Sequence, residues 1–454
     1  MTDWKIRPEK IRIQTGFQVP IKLSGLWTHC NLTWGTDLYH MNKKHPETEA
    51  LSHAFDPKHA QMAIKTPIYQ TSTFIFSSAE EGKRTISEAY GLSETSGGDP
   101  GMFYSRINHP NMELVEKRIC LWDGAEEAAV FESGMAAIST ALLTFLRPGD
   151  LILCNAPIYS GTDSFIKRFL VGFGVRIMEF EPDESPENVR MRLKDADLSE
   201  SLKMVYLETP ANPTNSMIDL ELWSDFAHSY NRKDRNILVA ADNTYMGPLW
   251  QSPLRHGVDL VLYSATKYMG GHSDLLAGAV LGSKKLVSQI KSNRTLFGNA
   301  TSPHTAWLLT RSLETMTIRM NCQAQNAEVL ANYLNDHAAV RQVYFPGILR
   351  KTDARIESIM QRQCSGNGAM ISFDIHGGEA EAFAFLNKLR TIKLAVSLGS
   401  TESLVQHPAT MTHVAVSDAD KKKMNITGSL IRFSVGIEHV DDLLSDLKQA
   451  LEPL

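Results

Sequence analysis

The sequence predicts an α/β protein with a parallel-rich sheet in a large domain and a smaller α/β domain at the C-terminus. From about residue 111 onward, short apolar runs alternate with helix-prone segments, which is typical of parallel sheets. The 454 residues exceed the size of one ordinary core and indicate about two or three domains. With 43% hydrophobic and 21% charged residues, the composition is that of a globular protein and excludes fibrous and disordered classes.

Composition also limits the expected partners and location. The net charge of −5 provides no basic excess, so neither nucleic acid nor an anionic membrane is expected as a partner. The five cysteines are too scattered for a disulfide framework or a zinc cluster, so we expect no metal and a reducing, cytoplasmic environment. The amino terminus lacks the apolar core of a signal peptide, and no apolar run reaches membrane-spanning length.

Five predicted strands each end next to residues with useful chemistry. Ligands bind beyond the carboxyl ends of parallel strands, so the groups that follow these strands are expected to line one crevice. The strands and the residues that follow them are 128–131 with Gly134 and Met135, 151–154 with Tyr159, 204–207 with Glu208 and Asn212, 237–241 with Asp242 and Asn243, and 258–263 with Ser264, Thr266 and Lys267.

These groups match the needs of pyridoxal 5'-phosphate (PLP), a cofactor that acts as an electron sink. A lysine at the end of a hydrophobic strand is desolvated, so the amine of Lys267 can stay neutral and form an imine with the cofactor aldehyde. Asp242 would keep the ring nitrogen protonated, and Tyr159 would stack on the ring. The phosphate would be bound by the amides of Gly134 and Met135 at a helix start and by the hydroxyls of Ser264 and Thr266.

Six ordered motifs point to one known family. They are Tyr104-Ser-Arg106, Ser133-Gly-Met135, Glu208-Thr-Pro-Ala-Asn212-Pro, Asp242-Asn-Thr, Ser264-Ala-Thr-Lys267-Tyr and the stretch 397–413. With them, the chain from about residue 64 to its end resembles the Cys/Met-metabolism family of PLP enzymes. That family includes cystathionine γ-synthase, the cystathionine lyases, methionine γ-lyase and O-acylhomoserine sulfhydrylase. The resemblance implies PLP fold type I, the aspartate aminotransferase-like fold.

The resemblance also implies an assembly and a domain plan. The expected assembly is a homotetramer built from two tight dimers, in which Tyr104 and Arg106 reach the neighbouring subunit's phosphate. We expect an amino-terminal arm over residues 1–108 that contacts that neighbour. A PLP-binding large domain would follow over 109–316, and a small domain over 317–454.

Roles for individual side chains follow by motif. Arg432 would bind the substrate carboxylate with its planar guanidinium, helped by Ser397 and Asn212. Asn212 would also contact the cofactor. Lys267 would shuttle protons on the substrate carbons. Tyr159 would either activate the incoming amine and assist the leaving sulfur or serve in stacking alone, and the sequence leaves these two possibilities open.

Departures from the family leave the exact reaction open. Gly161 stands where methionine γ-lyases have a reactive cysteine, and Val396 where cystathionine γ-lyases typically have a glutamate. The stretch after Ser397 lacks the tryptophan of bacterial cystathionine β-lyases. Arg294 lies in the segment 293–298, which we expect to be a loop, and it is the candidate for binding a distal carboxylate or polar group of the substrate. The alternative is a solvent-exposed arginine without a role in binding.

The expected activity is trans-sulfuration chemistry on a small amino acid. The enzyme would eliminate or replace a β or γ substituent of a sulfur-containing or O-acylated amino acid, most like cystathionine γ-synthase or methionine γ-lyase. Cystathionine β-lyase is the alternative. A non-catalytic aminotransferase-like sensor or scaffold is a rival from another class, and the presence of Lys267 argues against it. A cofactor-free Schiff-base aldolase is a second rival, which would leave the predicted phosphate site unexplained.

Overall fold

A computed structural model describes residues 44–90, 92, 101–414 and 416–452. Residues 1–43 and 93–100 lie outside the described residues, so the predicted amino-terminal arm is described only in part. None of the described helices is both long and apolar enough to cross a membrane.

The described residues alternate between helices and strands for most of their length. The helices are α1 Pro46–Glu49, α2 Ala79–Ala89, α3 Pro110–Asp123, α4 Gly134–Phe145, α5 Ser160–Ser164, α6 Pro186–Asp195, α7 Leu220–His228, α8 Gly247–Trp250, α9 Lys284–Phe297, α10 Pro303–Leu313, α11 Met316–Asp336, α12 Pro346–Leu349, α13 Ala354–Gln363, α14 Glu379–Lys388, α15 Asp418–Lys423 and α16 Val440–Leu451. The strands are β1 Glu127–Phe131, β2 Leu151–Asn155, β3 Arg176–Phe180, β4 Leu202–Glu208, β5 Leu238–Asp242, β6 Leu260–Tyr263, β7 Gly278–Gly282, β8 Val340–Tyr344, β9 Met370–Ile375, β10 Lys393–Leu394, β11 Leu404–Gln406 and β12 Leu430–Ser434.

The first seven strands form one sheet in the order β1-β7-β6-β5-β4-β2-β3. Each neighbouring pair from β3 to β6 is parallel, whereas β7 runs antiparallel to both β1 and β6. The central strands β2, β5 and β6 are buried along their whole length, which is typical of parallel strands covered on both faces. The prediction of a parallel-rich sheet in an α/β fold is confirmed.

Two strands of this sheet were not predicted, each for a physical reason. β3 is an edge strand that carries an exposed arginine, so its sequence does not have the apolar run of a central strand. β7 begins and ends with glycine because other backbone comes close there. A Cβ at Gly278 would lie 2.1 Å from Ser133 O, and one at Gly282 would lie 2.6 Å from Asp259 O.

Helices cover both faces of the large sheet. Successive strand residues point to opposite faces, so Val130 packs in one apolar cluster while Phe131 packs in the other. The first cluster includes Trp223 of α7, and the second includes Leu142 of α4 and Ile290 of α9. These two layers of apolar side chains fix the positions of the strands, and the carboxyl ends of the strands can therefore carry polar groups.

The remaining strands form a second, smaller sheet in the order β10-β11-β12-β9-β8. Its strands are antiparallel to their neighbours except for the pair β10 and β11. The apolar runs at 368–375 and 429–435 form β9 and β12, and the amphipathic segment 440–451 forms α16. The predicted domain boundary at residue 316 falls at the start of α11 and stays a prediction.

The sequence from residue 303 to 334 has a continuous helical periodicity, but it forms two helices, α10 and α11. Arg319 explains the break, because its buried guanidinium donates to Ser312 O at 3.0 Å near the end of α10. An arginine bonded to the last carbonyls of a helix stabilises its end. The same guanidinium donates to Tyr268 O at 2.9 Å, so it also anchors the segment that follows Lys267.

Candidate active site

Neighbouring parallel strands bring the predicted site residues to one edge of the large sheet. β4 ends at Glu208 and β5 at Asp242, and these two residues are partners in the strand register. The segments after β5 and β6 are tied together, because Ser264 N donates to Thr244 Oγ1 at 2.9 Å. Lys267 follows in the same turn, so the amine and the carboxylates come from adjacent strand ends.

The amine of Lys267 is half-buried and has a neutral partner. Its Nζ donates to Ser397 Oγ at 2.8 Å. Burial, with a smaller contribution from the charge of Arg432, lowers the pKa of Lys267 to about 8. A substantial fraction of this amine is therefore neutral at mildly alkaline pH, which is the form that attacks carbonyl groups and accepts protons.

The guanidinium of Arg432 is held from three sides near that amine. Its Nη1 donates to Asn212 Oδ1 at 3.2 Å and its Nη2 to Ser397 O at 2.8 Å. Gln406 is the register partner of Arg432 on the neighbouring strand. Its amide oxygen, oriented by the hydrogen-bond network, accepts from Arg432 Nη1 at 3.1 Å and from Thr412 Oγ1 at 2.9 Å. The arginine is thus preorganised to receive a carboxylate.

Ser397 joins the lysine to the arginine through an unusual backbone conformation. Its φ of +87° lies in the left-handed region, which side chains with a Cβ rarely adopt. Its hydroxyl accepts from Lys267 and its carbonyl from Arg432. Such strain persists where the surrounding structure enforces it, and it is concentrated at functional sites.

The start of α4 forms the predicted anion cradle. Ser133 caps the helix by accepting from Ala136 N at 3.1 Å, while the first amides of the helix lack partners within it. A Cβ at Gly134 would lie 2.9 Å from Ser264 Cβ, so only glycine lets the two segments approach this closely. Thr266 differs from the prediction, because its hydroxyl donates to Ala277 O at 3.2 Å and is engaged with backbone.

Asp242 is a buried carboxyl group that has no ion pair with a cationic side chain among the described residues. It accepts from Thr244 N at 3.0 Å, and burial raises the pKa of Asp242. A protonated pyridine nitrogen would supply the missing positive charge. The neutral amine, the anion cradle and the unpaired carboxylate lie at one sheet edge, and together they fit PLP.

Tyr159 lies above Gly161 and is 39% exposed. A Cβ at Gly161 would lie 2.5 Å from Tyr159 Cε1 and 3.1 Å from Met135 Sδ, so the ring position requires glycine there. Burial, together with the negative charges of Glu208 and Asp242, raises the pKa of Tyr159. Its phenol thus stays protonated well above neutral pH and can donate a hydrogen bond.

Comparison with known proteins decides which family this site belongs to. The sequence matches the pattern of the Cys/Met metabolism PLP-dependent enzymes over residues 47–452. The chain belongs to this Cys/Met metabolism family. Its membership confirms PLP as the cofactor, the type I fold and an enzyme of the predicted class.

Individual relatives of the Cys/Met metabolism family are similar along nearly their whole length. The chain is 39% identical to an L-methionine gamma-lyase of Fusobacterium nucleatum over 404 residues, which are 88% of this chain and 97% of the relative. It is 36% identical to a cystathionine gamma-lyase of Bacillus subtilis, covering 86% of this chain and 94% of the relative. A crystal structure of cystathionine gamma synthase from Xanthomonas oryzae pv. oryzae in complex with cystathionine has a TM-score of 0.79 and 33% identity, covering 90% of this chain and 98% of that one. The predicted elimination or replacement chemistry of methionine and cysteine metabolism is thereby confirmed.

Two predicted cofactor residues of this Cys/Met metabolism enzyme lie away from its own cradle. The guanidinium of Arg106 lies 5.6 Å from the ring centre of Tyr104, and its Nη1 donates to Thr295 O at 2.6 Å. Tyr104 is exposed and forms an isolated bridge with Thr73. The hydrogen bonds found for both residues within the described chain are to segments other than the start of α4.

The alternative of a solvent-exposed arginine is wrong for Arg294, and its predicted substrate role stays a prediction that its surroundings do not support. The residue belongs to α9 rather than to a loop and is only 2% exposed. Its Nη1 donates to Glu116 Oε1 at 2.5 Å and to Val130 O at 2.8 Å. The guanidinium is thus occupied in the interior by a carboxylate from α3.

Two residues that contact the site were given no role from the sequence. Glu208 accepts from the backbone amide of Tyr159, and Gln406 accepts from Arg432. Position after a strand placed Glu208 in the expected crevice without assigning it a function, and membership of the 397–413 motif could have marked Gln406. Which partners they contact depends on tertiary structure that sequence patterns do not contain.

Proposed function

We propose that this enzyme removes or exchanges the γ substituent of a sulfur-containing or O-acylated α-amino acid. The observation that carries the proposal is that Ser397 bonds to both Lys267 and Arg432, each at 2.8 Å. This serine therefore holds an amine that can transfer protons close to a guanidinium that can bind a carboxylate. A substrate held by its carboxylate would then present its α and β carbons to the amine. The γ preference is supported by relatives named for γ chemistry, methionine gamma-lyase and cystathionine gamma-lyase.

The cofactor would be held by residues from four strand ends. Asp242 would keep the ring nitrogen protonated, the amides of Gly134 and Met135 with the hydroxyl of Ser264 would bind the phosphate, and Tyr159 would lie against the ring. When bound, PLP withdraws electrons and so stabilises negative charge on a substrate carbon. Because Thr266 is engaged with Ala277, we assign it a supporting contact to the backbone beside the phosphate site rather than a direct one.

The protein's own residues would orient the substrate and move its protons. Arg432 and Asn212 would hold the substrate carboxylate. Lys267 would accept the proton from the α carbon, release it within the site, and as the free amine again accept one from the β carbon, with Ser397 keeping the amine in place. Tyr159, whose raised pKa keeps its phenol protonated, would donate to the leaving sulfur or oxygen.

We infer that the active assembly is a homotetramer of two tight dimers. Several large apolar side chains are exposed in a single subunit, which is typical of surfaces that a partner covers. They include Met62, Ile64, Ile75, Leu276, Leu296 and Phe297. Arg106 bonds to Thr295, which directly precedes the exposed Leu296 and Phe297, so a subunit that covers these two residues would lie beside Arg106. We propose that Tyr104 and Arg106 reach the phosphate site of that subunit.

The remaining proposals concern location and domains. We propose a cytoplasmic enzyme with an arm at 1–108, a PLP-binding domain at 109–316 and a small domain at 317–454. The two sheets lie on either side of the last boundary, which supports that division.

Product identification tests the proposed reaction. Purified enzyme with PLP would be given L-cystathionine, L-methionine, or O-acetylhomoserine with cysteine. We expect 2-oxobutyrate from γ elimination or cystathionine from γ replacement. Pyruvate and homocysteine as the only products from cystathionine would establish β elimination instead and overturn the γ assignment.

A further inference from the structure

One buried carboxylate connects two segments of the site. Glu208 Oε2 accepts from Tyr159 N at 2.6 Å, and its Oε1 accepts from Asn212 N at 2.9 Å. The side chain is only 4% exposed. Tyr159 follows β2 and Asn212 follows β4, so each carboxylate oxygen holds a different loop. A carboxyl group offers an acceptor on each of its two oxygens, whereas the isosteric amide of glutamine offers one acceptor and one donor.

The backbone of Glu208 is fixed to the end of β2 as well. Asn155, the last residue of that strand, accepts from Glu208 N at 2.8 Å and donates to Glu208 O at 3.3 Å. The same amide donates to Pro157 O at 3.1 Å, two residues before Tyr159. Because both strands are covered by apolar layers, Glu208 cannot shift without moving the turn that carries Tyr159.

This arrangement is costly for the folded protein. Glu208 stands beside Asp242 in the register, and both are buried. Burial, together with the charge of Asp242, raises the pKa of Glu208. Two neighbouring carboxyl groups that pair with no cationic side chain among the described residues lower the stability of the folded protein. Packing alone therefore does not explain why residue 208 is a glutamate.

We propose that Glu208 is a positioning residue that sets the Tyr159 ring and Asn212 relative to each other. Its bond to Tyr159 N fixes how the Tyr159 ring lies against the cofactor. Its bond to Asn212 N fixes the position of the side-chain amide that accepts from Arg432. The inference rests on the function proposed above, because the roles of Tyr159 and Asn212 are those assigned there.

The test compares two isosteric variants of buried glutamates. Glu208→Gln can accept on one side only, so one amide loses its acceptor. We expect kcat to fall roughly 10- to 100-fold, the range for leaving a hydrogen-bond donor without its acceptor, with a smaller change in KM. We also expect the visible circular dichroism of bound PLP to change and PLP affinity for the cofactor-free protein to weaken. Glu116→Gln is the control, since Glu116 is equally buried but contacts Arg294 and Lys291. It should keep the dichroism of bound PLP.

A double-mutant cycle separates positioning from a general structural role. If Glu208 acts through Tyr159, then Glu208→Gln combined with Tyr159→Phe should lose less activity than the product of the two single losses. The proposal is overturned if the activity loss of the double variant equals the product of the two single losses. It is also overturned if Glu208→Gln has the dichroism and PLP affinity of the wild type. If that variant does not fold, Glu208→Asp replaces it, because the shorter side chain cannot reach both amides, and an unchanged dichroism again overturns the proposal.

The two proposals fail in different ways. Dichroism and PLP affinity need no substrate, so they decide the role of Glu208 even if the wild-type enzyme gives unexpected products. Unexpected products from a wild-type enzyme with a normal cofactor signal count against the γ assignment alone.

Discussion

The molecule contains two buried groups of charged side chains that differ in how the charges are paired. Away from the site, Glu116 lies 2.5 Å from Arg294 and 2.8 Å from Lys291, which also contacts Glu127 at 2.6 Å. In the site, Lys267 bonds to a serine, and Arg432 bonds to an amide and a carbonyl. Opposite charges touch in the first group and are kept apart in the second.

The difference in pairing reverses the effect on proton affinity. Burial acts to raise the pKa of Glu116, but Lys291 and Arg294 outweigh it and the pKa is lowered. Burial likewise acts to lower the pKa of Lys291, but Glu116 and Glu127 raise it overall. In the site, burial prevails, so the pKa of Lys267 is lowered and that of Asp242 is raised. Unpaired buried charges cost stability, but they can exchange protons and bind the charges of ligands.

The strongest test of this comparison removes the unpaired charge of Asp242. Asp242→Asn should lower kcat/KM by about 10²- to 10³-fold, because a preorganised charge beside the reacting system is lost. The free energy of unfolding of the cofactor-free variant should not fall, since an uncharged amide replaces one of two neighbouring carboxyl groups. Steady-state kinetics and urea unfolding check both expectations. An Asp242→Asn variant that keeps its activity but is less stable would show that Asp242 stabilises the fold and is not needed for the reaction.

The converse experiment breaks the paired group. Glu116→Gln should destabilise the protein by about 3–5 kcal/mol, because Arg294 and Lys291 lose a buried partner. The kcat of the folded protein should be unchanged. Denaturant unfolding together with active-site titration measures both quantities. Reduced kcat with normal stability would contradict the distinction between the two groups.

Asp123 extends the comparison, because it has no ion pair within the part of the chain that the structure describes and yet lies outside the site. Both its oxygens lie 3.0 Å from Tyr263 Oη, and burial raises the pKa of Asp123 to about 7. Between about pH 4 and pH 7 the folded protein holds a proton there that the unfolded chain has released, so stability falls as pH rises through this range. Asp123→Asn should remove that part of the pH dependence and gain on the order of 2 kcal/mol at pH 8. Unfolding at several pH values checks this, and parallel profiles for variant and wild type would refute it.

The smallest expected effect concerns Ser397, the neutral partner of Lys267. Ser397→Ala and Ser397→Gly both remove the hydroxyl, so each should lower kcat by roughly 3- to 10-fold, the range for a neutral hydrogen bond. The free energy of unfolding should be about 1 kcal/mol higher for the glycine variant than for the alanine variant, because φ of residue 397 is positive. Kinetics and thermal unfolding of the pair measure the two effects separately. Equal stability of the two variants would argue against strain at this residue.

Local sequence patterns were sufficient for the parts of the site that strands deliver. Lys267, Asp242 and Gly134 each follow an apolar run, and a parallel sheet brings the ends of such runs together. The pattern therefore predicted the cofactor chemistry before any contact was known. Family resemblance added Arg432, which lies in β12 of the C-terminal sheet, and Ser397, which lies between β10 and β11 of the same sheet.

Other features depended on contacts between distant segments. The segment around Arg294 was expected to be a loop, whereas it is the last turn of α9, and the side chain faces Glu116 on α3. The break between α10 and α11 depends on Arg319 reaching back to Ser312 and across to Tyr268. Neither outcome is encoded in a periodic pattern, because each requires a partner that only the folded chain supplies.

The single serine that touches both Lys267 and Arg432 also sets the reach of the site. Because its hydroxyl and its carbonyl belong to one residue with a constrained backbone, the spacing between amine and guanidinium cannot stretch to suit a longer ligand. That spacing favours compounds whose amino and carboxyl groups share one carbon. β-Amino acids, in which an additional carbon separates the two groups, are expected to be excluded.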